Sequence, residues 1–127
     1  MLAGASAIMV SNHGGRQMDG DPATIEALPG IVNAVKKFFP RRDVYMDSGV
    51  RSGQDVFKAI ALGAKMVFIG RPIMWGLALG GAKGVNNVMN ILRNEFNETM
   101  LLSGASNVNQ IKRDHVIPKV SIGAEQF

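Results

Sequence analysis

The residues able to do chemistry in this 127-residue chain gather in three short glycine-containing stretches. The first, "SNHGGRQ" at positions 11 to 17, holds His13 and, three residues on, Arg16. An imidazole beside a guanidinium suits proton removal from an anionic substrate: His13 takes the proton, and Arg16 holds a carboxylate so that its α-carbon lies near the base. The same residue types also suit a structural histidine bonded within a turn. The second stretch, "DSGVRSG" from position 47, and the third, "GRP" from position 70, supply Asp47, Gly49, Arg51, Gly70 and Arg71. Glycines admit close backbone approach, helix N-termini offer N–H groups, and two guanidinium groups supply charge-assisted hydrogen bonds, which together describe a phosphate pocket. Either turn alone reads equally as a plain loop whose arginines pair with acids; the two together favour the phosphate. His115 has no such company and is expected to be structural.

Each stretch follows a short apolar run, "AIMV" at 7 to 10, "VYM" at 44 to 46 and "MVFI" at 66 to 69. These runs lack polar alternation and suit strands buried on both faces of a parallel sheet. Between the first two, Asp21 is read as an N-cap and Pro22 as the first helical residue. Pro29 and Gly30 are expected to split the segment into a turn and a helix that carries Ile31, Val35 and Phe38 inward. Between the second and third, Ser52 and Asp55 have capping-box spacing, Val56, Phe57, Ile60 and Ala61 form an apolar face, and Gly63 ends the helix. The β, α, β, α, β order predicts a parallel sheet with right-handed crossovers. Its strands would end side by side, where α/β folds bind ligands.

After Arg71, "PIMWGLALGGAKG" reads as a short helix with a glycine-rich break; it lacks the Lys-Ser/Thr ending of a Walker loop, and no strand is followed by "GxGxxG". A longer helix is predicted from about Val85 to Ser103, with Val88, Met89, Leu92, Phe96 and Met100 on one stripe as core filling and Gly104 at its end. The pattern then weakens into a turn capped by Ser106 and a polar tail ending "GAEQF".

Composition narrows the classes. Hydrophobic residues make up 46% of the chain, enough for a packed core. Cysteine is absent, which excludes disulfides, thiolate metal sites and cysteine nucleophiles, and no metal site is expected. The net charge of +4 attracts anions, yet the cations form no arm or stripe and aromatics are few, so nucleic-acid binding is not expected. The start lacks the basic region and apolar length of a secretory signal, and no stretch reaches the ~18 apolar residues of a membrane span, so a soluble, intracellular chain without a membrane partner is expected. The "NET" sequon at Asn97 falls in a helical pattern and is read as chance.

The three turns, in this order and at these spacings, closely resemble the FMN-dependent α-hydroxy acid oxidase and dehydrogenase family. "SNHGGRQMDGDPATI", "DSGVRSGQDVFKAIALGA" and "GRP" follow the family pattern almost residue by residue, and "MWGLALGGAKGV" and "NEFNETMLLSG" continue it. The resemblance, strongest to the animal 2-hydroxy acid oxidases, implies that His13 is the active-site base and that His13 and Arg16 contact substrate. It implies that Ser11 touches the flavin and that Asp47, Ser48, Gly49, Val50, Arg51, Gly70 and Arg71 belong to the segments binding FMN. The implied activity is oxidation of a small 2-hydroxy acid to a 2-oxo acid, in a family whose members are often homo-oligomeric and, in animals, often peroxisomal. The chain ends "EQF" rather than in an SKL-type signal, which leaves the cytosol open.

Three positions depart from the family pattern: Ser48 replaces a glycine, which puts close backbone approach or a positive φ there in question, while Ala82 replaces a glutamate and Ala105 a cysteine, both expected to affect packing. The family fold is a TIM (β/α)8 barrel of roughly 250 residues. Residues 1–127 resemble its carboxyl-terminal part, about the last three β/α units of a partial FMN hydroxy acid dehydrogenase domain. Such a piece leaves two strand edges unpaired and an inner face unburied. It is expected to be a truncated product or incomplete gene model, inactive alone, with a non-catalytic remnant that binds a partner or self-associates as the alternative.

Overall fold

The structure, a computed structural model, describes residues 4–117. Three strands, β1 (Ala7–Val10), β2 (Asp43–Met46) and β3 (Met66–Val67), pair in parallel in the order β1-β2-β3. Helix α1 (Thr24–Val35) joins the first pair and α2 (Gly53–Ala61) the second. The register aligns Val10 with Met46 and Met46 with Val67, and this row packs with Leu28, Val32 and Val35 of α1 and Ala59 of α2. Both crossover helices therefore cover the same face, as sequential right-handed connections require.

The opposite face is open, which corrects the expectation of strands buried on both sides. Met9, Tyr45 and Met66 form its central row, and Met9, Met66 and Phe68 are 46%, 50% and 42% exposed. The runs lack polar alternation because this second face is apolar too, although no described helix lies over it. Tyr45 and Phe68 keep a tilted ring contact there, at 6.1 Å between centroids.

Helix α1 differs from its sequence reading at both ends and in the middle. Ala23 is the N-cap, ahead of which Asp21 and Pro22 stay outside the helix, and Pro29 lies inside one continuous helix. A mid-helix proline costs about 3 kcal/mol in isolation. Here Leu28, fully buried, and Val32, one turn on, anchor the helix to the sheet on either side of it. The buried stripe is Leu28, Val32 and Val35; Ile31 is half-buried, and Phe38, beyond the helix, is exposed. Tertiary burial has overridden the local break signal.

Helix α2 matches its reading. The Ser52–Asp55 capping box is formed, Phe57 and Ala61 are buried with Val56 and Ile60 half-buried, and Gly63 follows the C-cap with φ +106°. Helix α3 (Arg71–Leu102) is broken at Gly80 and Gly81, whose φ/ψ are −153°/20° and 56°/−143°. The break turns residues 71–79 back onto residues 82–102, so that Gly76 meets Gly84. A Cβ on Gly76 would stand 2.8 Å from the Gly84 carbonyl oxygen, and one on Gly84 would run into the Gly76 carbonyl. Two glycines of "GLALGGAKG" thus make the reversal and two permit the backbone contact.

The second segment of α3 packs on α2. Leu92 and Met100 are buried and Phe96 half-buried, but Met89 is 42% exposed, off the contact seam. Phe57, Ala61, Met100, Ala105 and Ile111 form a second core cluster, so Ala105 does affect packing, whereas Ala82 is exposed. Asn107, not Ser106, caps the 3-10 turn Val108–Gln110, since its side chain accepts from the Asn109 N–H. His115, in the 3-10 turn Arg113–His115, has its Nδ1 3.0 Å from the Lys112 backbone nitrogen and its ring edge-on to Phe57 at 5.7 Å, a structural role. The tail "GAEQF" lies outside the described residues.

Gly53 is the tightest point of the α2–α3 contact, because a Cβ there would collide with the Phe96 backbone nitrogen. Gly53→Ala should lower unfolding stability by at least roughly 1–3 kcal/mol, the cost of overpacking against backbone. Gly30→Ala, at a helical position with open space, should raise it by about 0.5–1 kcal/mol. Urea titration of the two variants beside the parent checks both signs.

Candidate functional site

Parallel pairing places the carboxyl ends of all three strands on one rim, and the turns that leave them enclose a cavity of about 280 Å³. His13, Gly14 and Arg16 line it from the first turn, Asp47, Ser48, Gly49, Val50 and Arg51 from the second, and Phe68, Ile69, Gly70, Arg71 and Met74 from the third. Every residue singled out in the sequence except Ser11 faces this space. Ser11 lines a neighbouring cleft with Asp21 and Thr24, and its hydroxyl accepts from the His13 N–H at 3.1 Å.

The first turn is built on left-handed backbone. His13, Gly14 and Gly15 have φ of 56°, 73° and 70°, which is ordinary for glycine and strained for histidine. The turn closes through the Gly15 N–H to the Asn12 carbonyl at 3.0 Å. It brings Arg16 back over His13, with Arg16 Nη2 2.8 Å from His13 Nε2. A guanidinium only donates, so this contact is a hydrogen bond in the tautomer whose Nε2 offers its lone pair. The lone pair that could take a proton from substrate is thus engaged by the group that could take a substrate carboxylate.

The two remaining arginines bear on the choice between a loop ion pair and an anion site. The ion pair Lys58–Asp55 is the single one among the described residues, so neither Arg51 nor Arg71 meets a carboxylate. Arg51 donates to its neighbour's Val50 carbonyl at 2.9 Å and lies 5.6 Å over the Trp75 ring. Arg71 donates to the Gly14 carbonyl at 2.6 Å. Both are held in place by neutral acceptors and keep their charge and further N–H groups for a ligand. Gly14 makes the Arg71 approach possible, because a Cβ there would lie 2.8 Å from Arg71 Nη2. The "HGGR" glycine carried that signal in the sequence, but its partner 57 residues away did not show.

The free helix N-terminus expected at α2 is not free. Asp55 Oδ2 accepts from the N–H groups of Arg51 and Ser52 at 3.0 and 3.1 Å, Ser52 Oγ accepts from Asp55, and Glu95 Oε2 accepts from Gly53 at 2.7 Å. The hydrogen bonds among the described residues leave unused the N–H groups of Gly49 and Val50, ahead of α2, and of Gly70 and Arg71, at the start of α3. All four residues line the cavity, so their N–H groups are candidate donors to an anion there. Thr24, which the sequence reading passed over, fixes the Gly49 turn from below: buried, it donates to the carbonyls of Asp47 and Ser48 at 2.8 and 3.1 Å.

Ser48 does adopt positive φ, at 70°, in the position where the resemblance places glycine. Its side chain offsets the strain. Ser48 Oγ accepts from the Gly14 N–H at 2.9 Å and donates to Asp47 Oδ1 at 2.7 Å, tying the His13 turn to the second turn.

A rim of strand ends carrying an imidazole, three guanidinium groups and unused N–H groups marks an α/β protein whose charged side chains gather at the carboxyl end of its sheet. The chain belongs to the FMN-dependent dehydrogenase family, whose model matches residues 1–118. It is 56% identical over 110 residues to 2-hydroxyacid oxidase 1 of Homo sapiens, an alignment covering 87% of this chain and 29% of the relative. A peroxisomal (S)-2-hydroxyacid oxidase of Arabidopsis thaliana is 54% identical over 114 residues, covering 90% of this chain and 31% of that protein. Among solved structures, a lactate oxidase of Pediococcus acidilactici superposes with a TM-score of 0.81 at 50% identity, over 87% of this chain and 30% of its own. A mandelate oxidase bearing (S)-mandelic acid gives 0.81 at 48%, over 87% and 32%. The chain therefore spans about 30% of the length of the relatives it matches.

The Ser48 bridge predicts an order of stabilities. Ser48→Ala keeps the left-handed strain and loses both hydrogen bonds, so it should destabilise by roughly 1–3 kcal/mol. Ser48→Gly loses the bonds but relieves about 1–2 kcal/mol of strain, so it should lie near the parent. Denaturant midpoints give the order, and faster hydrogen exchange at the Gly14 amide in both variants reports the lost bridge.

Proposed function

We propose that this chain supplies the base, the substrate-carboxylate anchor and the phosphate side of an FMN site that oxidises a small 2-hydroxy acid to a 2-oxo acid. One observation carries the reading: the His13–Arg16 pair and the Arg51–Arg71 pair, neither arginine of the latter paired with a carboxylate among the described residues, line the same cavity. Residues 4–117 are then three β/α units of a (β/α)8 barrel, consistent with both crossover helices lying on one face of the sheet. The open row Met9, Tyr45 and Met66 is the barrel's inner face, covered by strands that the relatives carry in the length this chain does not span.

The residues present suit FMN. Its phosphate would be held by the unused N–H groups of Gly49, Val50, Gly70 and Arg71, with Arg51 and Arg71 as counter-charges. Asp47 would repel a phosphate but accepts from hydroxyls, such as those of a sugar alcohol chain. FMN, when bound, supplies the two-electron acceptor for the reaction. Arg16 turns from His13 Nε2 to the substrate carboxylate, since a charged acceptor outcompetes a neutral imidazole. His13 is thereby left with its lone pair free, next to a substrate fixed by the same arginine, and removes a proton as the substrate is oxidised. The names of plant relatives favour a peroxisomal setting.

A second reading is favoured by the open apolar sheet face: the chain is a non-catalytic module that self-associates through it. Flavin retained by the purified chain supports the first reading, and a colourless homodimer supports the second.

The catalytic test uses residues 1–117 exchanged for the matching part of human 2-hydroxyacid oxidase 1. His13→Gln in that hybrid should lower turnover about 10²-fold to 10⁴-fold with flavin still bound. Near-parental turnover returns His13 to a structural role. In the same hybrid, Arg51→Ala or Arg71→Ala should weaken FMN binding while leaving riboflavin, which has no phosphate, almost unchanged. Equal weakening of both ligands, read by flavin fluorescence titration, contradicts the phosphate assignment.

A further inference from the structure

The end of the sheet opposite this site carries a second concentration of charge. Two cavities of about 340 and 530 Å³ adjoin there, sharing Val32, Lys36, Arg41 and Gly63 in their walls. Arg42 and Lys65 line the smaller, Lys112 and Arg113 the larger, and among the described residues Asp43 is the one carboxylate on either wall. None of the six cations forms an ion pair among the described residues. Arg113 is held by the Val116 carbonyl at 2.6 Å, so its position does not depend on an acid.

Two ordinary explanations account for only part of this charge. Lys36 caps the C-terminus of α1, and Gly63 follows that of α2, so cations here offset two helix dipoles. Each dipole end amounts to roughly half a negative charge, so together with Asp43 they balance about two of the six cations. Solvated surface charge explains exposure, but not the convergence of residues from the end of α1, the loop before β2, the loop before β3 and the last 3-10 turn on one groove. The groove also has apolar walls, from Val32, Ile60 and Ile111. A volume of several hundred cubic ångströms, apolar walls and converging cations match a small-molecule site rather than a flat charged surface.

We propose that this groove binds a free nucleoside polyphosphate. The guanidinium groups of Arg41 and Arg42, both on the wall of the smaller cavity, take phosphate oxygens in bidentate fashion, with Lys36 and Lys65 as point charges on the same wall. The apolar walls of the larger cavity accept the base. The groove lies at the amino ends of the strands, so its occupant does not compete with a ligand at the His13 rim. This site is independent of the reading of the His13 rim as an oxidase site.

Calorimetric titration of the full chain with ATP, tripolyphosphate and adenosine, at physiological salt, tests the proposal. ATP should bind most tightly, tripolyphosphate more weakly and adenosine weakest. Lys36→Glu and Arg41→Glu, both exposed and expected to fold, should each weaken ATP at least about tenfold. Lys83→Glu, an exposed cation at the α3 reversal, should not. Circular dichroism confirms that the variants are folded. Three results overturn the proposal: no ATP binding at physiological salt; ATP binding lost in Arg51→Ala or Arg71→Ala but kept in Lys36→Glu and Arg41→Glu; or binding to vesicles bearing phosphoinositide headgroups that free ATP fails to displace.

Discussion

The parallel ladder between β1, β2 and β3 is the constraint on which everything else rests. Parallel strands must be joined by crossovers, so each strand leaves the sheet at the same rim, and residues 30 to 60 positions apart in sequence become neighbours there. The row of Val10 and Met46, both buried, and half-buried Val67 sets the register against α1 and α2. A slip of one residue would turn that row outward and carry His13, Ser48 and Arg71 out of alignment. The chemistry of the rim is thus held by the hydrophobic face behind it.

On the rim, polar groups are satisfied in a consistent division of labour. Carboxylates act on backbone: Asp55 and Glu95 fill the N-terminus of α2, so the helix that a phosphate would most simply use is already occupied. Arginines act on carbonyls, Arg71 on Gly14 and Arg51 on Val50, and so are oriented without a carboxylate partner among the described residues. Had either paired with a carboxylate, an incoming anion would have to displace a charged partner rather than join an ordered cation. Ser48 extends the same economy to a strained residue, since one hydroxyl bridges two turns that the ladder alone leaves side by side.

Much of this was legible in the sequence because it is local. The three apolar runs, the Ser52–Asp55 capping box, the break in "GLALGGAKG" and the glycine turns all declare themselves within a few residues. What was not legible is long-range. Pro29 reads as a break, and only the burial of Leu28 and Val32 on the sheet shows why the helix continues. The α2 N-terminus reads as open, and its closure by Glu95 comes from a helix 42 positions further on. The same holds for Thr24 beneath the second turn and for Gly14 beneath Arg71. The strands' lack of alternation reads as burial on both faces, because an apolar face looks the same in sequence whether or not anything covers it. Lys36, Arg41, Lys65 and Lys112, scattered along the chain, gave no footprint until the fold brought them to one groove.

The central claim is that the three strand-end turns form one anion pocket whose donors are backbone N–H groups ahead of α2 and at the start of α3. Amide chemical shifts of the isotopically labelled chain, followed during titration with FMN, test it most directly. The account predicts that the largest saturable changes fall on Gly49, Val50, Gly70 and Arg71, with Gly53 and Asp55 little affected because their donors are already bonded within the protein. Changes centred on Gly53 and Asp55, or on Lys36 and Arg41 at the other end of the sheet, with the four predicted amides unmoved, would contradict it.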